Sequence, residues 1–336
     1  MQRSVTVIIA AYNAQDTLAR AIRSALSQPE TLEVIVVDDK SLDATAAVAF
    51  EEAKADARVR LLAAEINQGP AAARNRALDA ATADFVAILD ADDVFLPGRL
   101  SRLMACDDAE MLADNIAFVT TDRIGGLMDR TWPDITPDFQ TLGITQFVLG
   151  NLRRKNVARG ELGFLKPVMS RKFLNRHGLR YDTRLRLGED YDLYLRALLA
   201  GARLKFTRRP GYAAAIRRTS LSAQHGAAEL SEMHDRLVAH LQMDGLSPAL
   251  TQAMQAHRDE VRRKRDHRVF LDLRREKGAW VALRYLFGAT NRIWPIARQI
   301  MSDKLGWTAM AGDAAPAIDV TLLLPPTGQP SVAVHQ

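Results

Sequence analysis

The chain of 336 residues has one cysteine, Cys106. A single thiol excludes an internal disulfide and any cysteine-based zinc cluster, and it points to a reducing, cytoplasmic setting. No apolar run reaches the ~18 residues that a membrane-spanning helix needs. Residues 1–3 lead directly into a strand-like run, without the charged and apolar regions of a secretory signal. Histidines such as His177 and His225 have no paired ligand spacing and read as surface or packing residues. Aromatics make up 6% and are too sparse around the arginine clusters to favour a nucleic-acid partner. Residues 11–14 lack the glycines that a dinucleotide-binding oxidoreductase places after its first strand.

What is present is a globular composition, 48% apolar, enough for one large α/β domain with an appendage or for two domains. The net charge of +5 is unevenly spread. Residues 257–306 hold thirteen Lys and Arg against six Asp and Glu, a local +7, so the remainder carries −2. Periodicity predicts strands at 5–11, 33–37, 59–63, just before Asp90, and near 111–119. Helices are predicted between them at 16–27, 43–55, 70–81 and from about 97, with Pro70 at a first helical position. This alternation predicts an α/β fold with a doubly wound, mostly parallel sheet, whose ligands lie beyond the carboxyl ends of the strands.

That rule gathers three polar clusters at one sheet edge: Ala11, Tyr12 and Asn13; then Asp38, Asp39, Lys40 and Ser41; then Asp90, Asp92 and Asp93. The last cluster ends the run DFVAILDADD, residues 84–93. Its carboxylates cannot all stay ionised unless a cation neutralises them. Hard oxygen ligands with open positions suit Mg²⁺ or Mn²⁺ shared with a phosphate-bearing substrate. Arg74, near the start of the helix opened by Pro70, adds positive charge beside helix N-terminal amides, a favourable place for phosphate. Further on, Gly188, Glu189 and Asp190 open an amphipathic helix, where acidic residues also favour the helix dipole.

The ordered runs VTVIIAAYN, VIVVDDKSLDAT, NQGPAAARNRAL, FVAILDADD and GEDYDLYLR resemble the family 2 inverting glycosyltransferases of GT-A fold. The resemblance spans residues 4–200 and is strongest to the bacterial exopolysaccharide branch, with GFLKPVMSRKFL resembling the glucosyltransferases of succinoglycan assembly. Three departures affect loop shape: Ala10 stands where many members have proline, Lys40 where glycine is common, and Leu42 where threonine is common. The resemblance implies that Tyr12 and Asp39 contact uridine, that Arg74 lies near the base or diphosphate, and that Asp90 meets the ribose. It implies that Asp92, with Asp90 in the same shell, binds Mn²⁺ or Mg²⁺. Asp93 is left as a supporting or helix N-terminal carboxylate.

An inverting transfer is one in-line displacement, so a base must take the acceptor proton opposite the departing diphosphate. By resemblance that base is Asp190, with Glu189 assisting acceptor binding. The segment IRRTSLS, residues 216–222, resembles a loop that closes over the diphosphate, with Arg217 or Arg218 as the contact. Asp114 and Asn115 interrupt an apolar strand, either to touch donor or acceptor or as a satisfied buried pair. The stretch 125–160, with Trp132, Pro133 and Pro137, is expected to shape the acceptor pocket.

The expected organisation is a glycosyltransferase domain over 1–225, divided into a nucleotide-sugar half (1–120) and an acceptor half (121–225). A basic helical extension (226–306) and a disordered tail (307–336) follow. Residues 279–300 interleave aromatics with Arg284, Arg292 and Arg298, which suits a helix pair lying on an anionic membrane surface, a packing helix or a dimer contact. The implied activity is transfer of a hexose, glucose in the first instance, from a UDP-sugar to a saccharide acceptor, by resemblance a polyprenyl diphosphate-linked oligosaccharide. Two other classes share part of this pattern. A receiver-like phosphoacceptor domain also has aspartate pairs at strand ends, but here a full strand and helix precede VIVVDD, and Lys166-Pro167 comes too late for the receiver lysine. A non-catalytic nucleotide-sugar binding module would keep Asp39, Asp90 and Asp92 with no need for Asp190.

Overall fold

The computed structural model describes residues 3–127, 139–152, 161–216, 226–289, 292–297 and 320–324. Among these described residues ten strands form one sheet: β1 (Val5–Ala11), β2 (Thr31–Asp38), β3 (Val59–Ala63), β4 (Phe85–Ile88), β5 (Val94–Phe95), β6 (Met111–Thr120), β7 (Gln140–Thr141), β8 (Val168–Ser170), β9 (Leu204–Ile216) and β10 (Thr321–Leu322). The helices are α1 (Leu18–Leu26), α2 (Thr45–Ala55), α3 (Pro70–Ala80), α4 (Arg99–Met104), α5 (Ile144–Leu149), α6 (Arg171–Arg176), α7 (Glu189–Leu199), α8 (Ala227–Leu241), α9 (Pro248–Lys277) and α10 (Ala279–Phe287).

Strands β3, β2, β1 and β4 are neighbours in that order and run parallel. β1 and β2 are almost wholly buried, as continuous apolar runs between helical layers must be. α1 turns Leu18, Ala21, Ile22 and Ala25 inward at helical spacing. Beyond β4 comes β8, antiparallel to it, and then β6 and β9, parallel to each other. The reversal at β8 positions the site. Ala87 pairs with Val168, so the residues just before β8 emerge at the edge where β4 ends.

The helices after Gly226 divide between two cores. Leu230 and Leu237 of α8, with Leu250, Ala253, Met254 and Val261 of α9, join the main core. The far end of α9 instead forms a small cluster of Phe270 with Ala282 of α10 and Ile296. Residues 320–324 correct the expectation of an unstructured tail from 307. The apolar VTLLL pairs as β10 with β6, buries Leu323, and exchanges hydrogen bonds with Asn115: Leu324 N donates to Oδ1 (2.9 Å) and Asn115 Nδ2 donates to Leu324 O (2.7 Å). Arg217, Arg218, Trp132, Pro133, Pro137 and the rest of the expected tail lie outside the described residues. Among the described residues no helix is long and apolar enough to cross a membrane.

Candidate active site

The ends of β1 and β2 are joined through backbone turns. Asn13 N donates to Ser41 Oγ (3.0 Å), and Leu42 N donates to Asn13 Oδ1 (2.8 Å). Asn13 and Lys40 are left-handed, with φ of 49° and 62°. Lys40 therefore occupies a conformation natural to the glycine it replaces. Tyr12 stands half exposed beside them. Asp39 is buried, and its two oxygens accept from Gln68 N (2.9 Å) and Gly69 N (2.7 Å). It thus fixes the entry to α3, where Gly69 takes φ 88° and Pro70 begins the helix.

α3 carries Arg74 into the centre of the edge. Its Nη2 donates to Asp90 Oδ1 (2.9 Å), while Nη1 reaches Glu189 Oε1 (3.0 Å) and Asp190 Oδ1 (3.4 Å). A second cation crosses the same gap: Lys166 Nζ lies 2.8 Å from Asp190 Oδ2 and 3.0 Å from Asp90 Oδ2. Both cationic side chains are 7% exposed. Burial opposes every charge here, yet pairing prevails. Lys166 and Arg74 hold Asp90 well below the usual carboxylate range, Arg74 and Lys166 lower Asp190, and the carboxylates raise both cations. Three carboxylates and two cations leave the cluster one negative charge in excess.

In the sequence Lys166 bears only on the receiver pattern, and its place between Asp90 and Asp190 is not evident there. The signal was positional: it precedes the short strand β8, whose antiparallel pairing with β4 brings position 166 beside Asp90. Asp114, considered as a ligand contact, acts on this lysine from behind. It is buried against Arg99, whose Nε donates to Asp114 Oδ1 (3.0 Å) and whose Nη2 donates to the Lys166 carbonyl (2.6 Å). Gly211 makes room for the pair, since a Cβ there would lie 1.6 Å from Asp114 Oδ2. Asp114 and Asn115 are accordingly satisfied within the fold.

Asp93 is buried and ties the acidic turn to β9. Tyr212 Oη donates to Asp93 Oδ2 (2.7 Å) and accepts from Asp90 N (3.1 Å), and Ala215 N donates to Asp93 Oδ1 (2.8 Å). Burial, with Asp90 and Asp92 nearby, raises its pKa well above the usual range. Asp92 is partly exposed at the same turn. Among the described residues no three His, Cys, Asp or Glu side chains converge as a preformed metal cage. One or two carboxylates at a partly open, net negative edge nevertheless fit Mg²⁺ or Mn²⁺ completed by substrate phosphates.

The other side of the site is held by α7. Gly188 caps it at φ 75°, which presents Glu189 and Asp190 from the first turn. Asp192, one turn on, accepts from Arg196 Nε (2.8 Å) and Arg236 Nε (2.7 Å) and lies 2.7 Å from His240 Nε2. Tyr191 stacks on Phe147 and meets His257 edge-on. Helices α8 and α9 therefore clamp the helix that bears Asp190.

The sequence profile described as glycosyl transferase family 2 matches residues 6–171. The chain is 42% identical over 315 residues to the succinoglycan biosynthesis protein ExoU of Rhizobium meliloti (strain 1021), covering 93% of this chain and 91% of that one. It is 37% identical over 116 residues to WfgD of Escherichia coli, a UDP-Glc:alpha-D-GlcNAc-diphosphoundecaprenol beta-1,3-glucosyltransferase, covering 34% of this chain and 44% of that one. Its fold matches the mannosyltransferase PcManGT of Pyrobaculum calidifontis, solved with GDP-Man and Mn²⁺, at a TM-score of 0.53 and 18% identity, covering 91% of this chain and 80% of that one. A GT-A fold, and likeness to ExoU over nine-tenths of both chains, lead to one conclusion: the chain belongs to glycosyl transferase family 2.

Proposed function

We propose that this chain is an inverting hexosyltransferase that moves glucose from UDP-glucose to a polyprenyl diphosphate-linked oligosaccharide during exopolysaccharide assembly, on the cytoplasmic side of a membrane. The observation that carries the reading is the pair of buried cations, Arg74 and Lys166, shared between Asp90 on the donor side and Asp190 at the start of α7. A module that only bound nucleotide sugar would not need this bridge to a second carboxylate. The likeness to ExoU and WfgD supports the choice of pathway, donor and lipid-linked acceptor.

In this reading Tyr12 and Asp39 shape the uridine site, and Arg217 or Arg218 follows from β9 to meet the diphosphate. Mn²⁺ or Mg²⁺ held by Asp92, with Asp90 beside it, would supply charge stabilisation for the departing diphosphate. Asp190 takes the proton of the acceptor hydroxyl, and Glu189 helps to bind the acceptor. Before donor arrives, Arg74 and Lys166 keep Asp190 a weak base. A diphosphate draws on the same two cations, so its binding raises the basicity of Asp190 when a donor is in place.

A panel of UDP-glucose, UDP-galactose, UDP-GlcNAc and GDP-mannose, scored by nucleoside diphosphate release with and without Mn²⁺, tests the proposal. Metal-stimulated release from UDP-glucose above the others is expected. Tight UDP binding without turnover of any donor would favour the binding module.

A further inference from the structure

α10 has two apolar faces, and only one of them is used by the fold. Ala282 packs with Phe270 and Ile296, Tyr285 and Leu286 are half-buried beside them, and Tyr285 Oη donates to Asp266 Oδ1 (3.2 Å). That face fixes α10 to α9. On the opposite face Trp280 is 86% exposed and Phe287 65%, with Leu283 between them at helical spacing. In the helical segment 292–297 that follows, Trp294 is 72% exposed. Isolated exposed apolar residues need no explanation, but two indoles and a phenyl ring held in water within fifteen residues of chain do.

The surroundings of this face are basic. Residues 273–297 contain Arg274, Arg275, Lys277, Arg284 and Arg292 against one acid, Glu276. Arg274, Lys277 and Arg284 are exposed and have no ion-pair partner among the described residues. Further back along α9 most basic residues are paired to acids nearby, Arg258 with Asp259, Lys264 with Glu260 and Arg268 with Asp272, although the exposed Arg263 has no ion-pair partner among the described residues. Three of the unpaired basic residues thus lie within a few positions, along the chain, of the exposed aromatic side chains.

We propose that the Trp280, Leu283 and Phe287 face of α10, with Trp294, is a docking surface for an anionic lipid bilayer. Indole and phenyl rings sit at the boundary between headgroups and acyl chains, while the basic rim meets the lipid phosphates. A second copy of this chain suits the face less well, because symmetric pairing would bring two basic rims together. The proposal does not depend on the donor or base assignments at the sheet edge.

The test uses the full chain in co-sedimentation with vesicles of phosphatidylcholine alone or mixed with phosphatidylglycerol, alongside sedimentation velocity without lipid. The wild type should bind the anionic vesicles at least about tenfold more tightly than the neutral ones, and high salt should weaken that binding. Trp280→Ser with Phe287→Ser should weaken it about tenfold through lost apolar insertion. Arg274→Glu with Lys277→Glu and Arg284→Glu should weaken it roughly a hundredfold. Both variants should keep the wild-type melting temperature and UDP release, since they change exposed side chains that are not part of the sheet-edge site. Equal binding to both vesicle types, or wild-type binding by either variant, would overturn the proposal. A wild-type dimer that the serine variant converts to monomer, with vesicle binding unchanged, would assign the face to a second copy.

Discussion

Ion pairs crowd both the sheet edge and the surface of α9, but the two sets differ in kind. At the edge, Arg74 and Lys166 reach carboxylates 16 to 116 positions away and are almost wholly buried. On α9, Lys264 pairs with Glu260 and Arg268 with Asp272, each four residues apart and largely exposed on the basic side. Burial decides what each is worth. A buried pair broken on one side leaves an uncompensated charge at a cost of several kcal/mol, whereas an exposed pair at helical spacing contributes about 0.2–0.5 kcal/mol. The first kind specifies a geometry; the second adds a little helix stability.

The largest expected effect lies at the proposed metal site. Asp92→Asn should lower turnover by orders of magnitude, and EDTA should inactivate the wild type until Mn²⁺ is restored; full activity in EDTA would remove the cation from the account. Next comes the shared lysine. Lys166→Met should lower turnover about 10²-fold and reduce stability by on the order of 3 kcal/mol, with Lys166→Arg recovering most of the stability. An unchanged melting temperature in Lys166→Met would place this pair with those of α9 instead.

A smaller effect is expected where α9 meets α7. Burial pushes His257 down to about 4 from its ordinary 6.5, so the folded state resists protonation that the unfolded chain accepts. Its contribution is full above pH 6.5 and is lost as pH falls toward 4, amounting to roughly 2 kcal/mol by pH 5. Thermal melts of the wild type should steepen over that window relative to His257→Gln, and parallel curves would contradict the burial argument. The smallest effect belongs to the α9 surface, where Lys264→Gln should change stability by less than ~0.5 kcal/mol.

The same contrast explains what could be read in the sequence. β1 and β3 have the residues expected from their apolar periods, and α3 begins at Pro70 as predicted, because each signal is local. Asp39 and Asp90 could be found because motif spacing and the strand-end rule both point to them, and Asp190 because the resemblance of its motif at a helix start does. Lys166 could not, since its meaning depends on a three-residue antiparallel strand inserted beside β4, which has too few positions to show a period. Asp114 was noticed as a polar residue in an apolar strand, but its partner Arg99 and its support of the Lys166 backbone are tertiary facts. The pairing of residues 320–324 with β6 was missed for the same reason: a short apolar run in a stretch rich in alanine, proline and glycine gains a partner only once the sheet edge exists.

Asp190 bears the proposed proton transfer most directly. Asp190→Asn keeps the size of the side chain and its place at the start of α7 while removing the proton acceptor. UDP-glucose affinity, melting temperature and turnover should be measured on this one variant. Turnover should fall by ~10² to 10⁴ while donor affinity is kept, and the melting temperature should fall as well, because Arg74 and Lys166 lose a buried anionic partner. Near-normal turnover with intact donor affinity would contradict the assignment of Asp190 as base and move that role to Glu189.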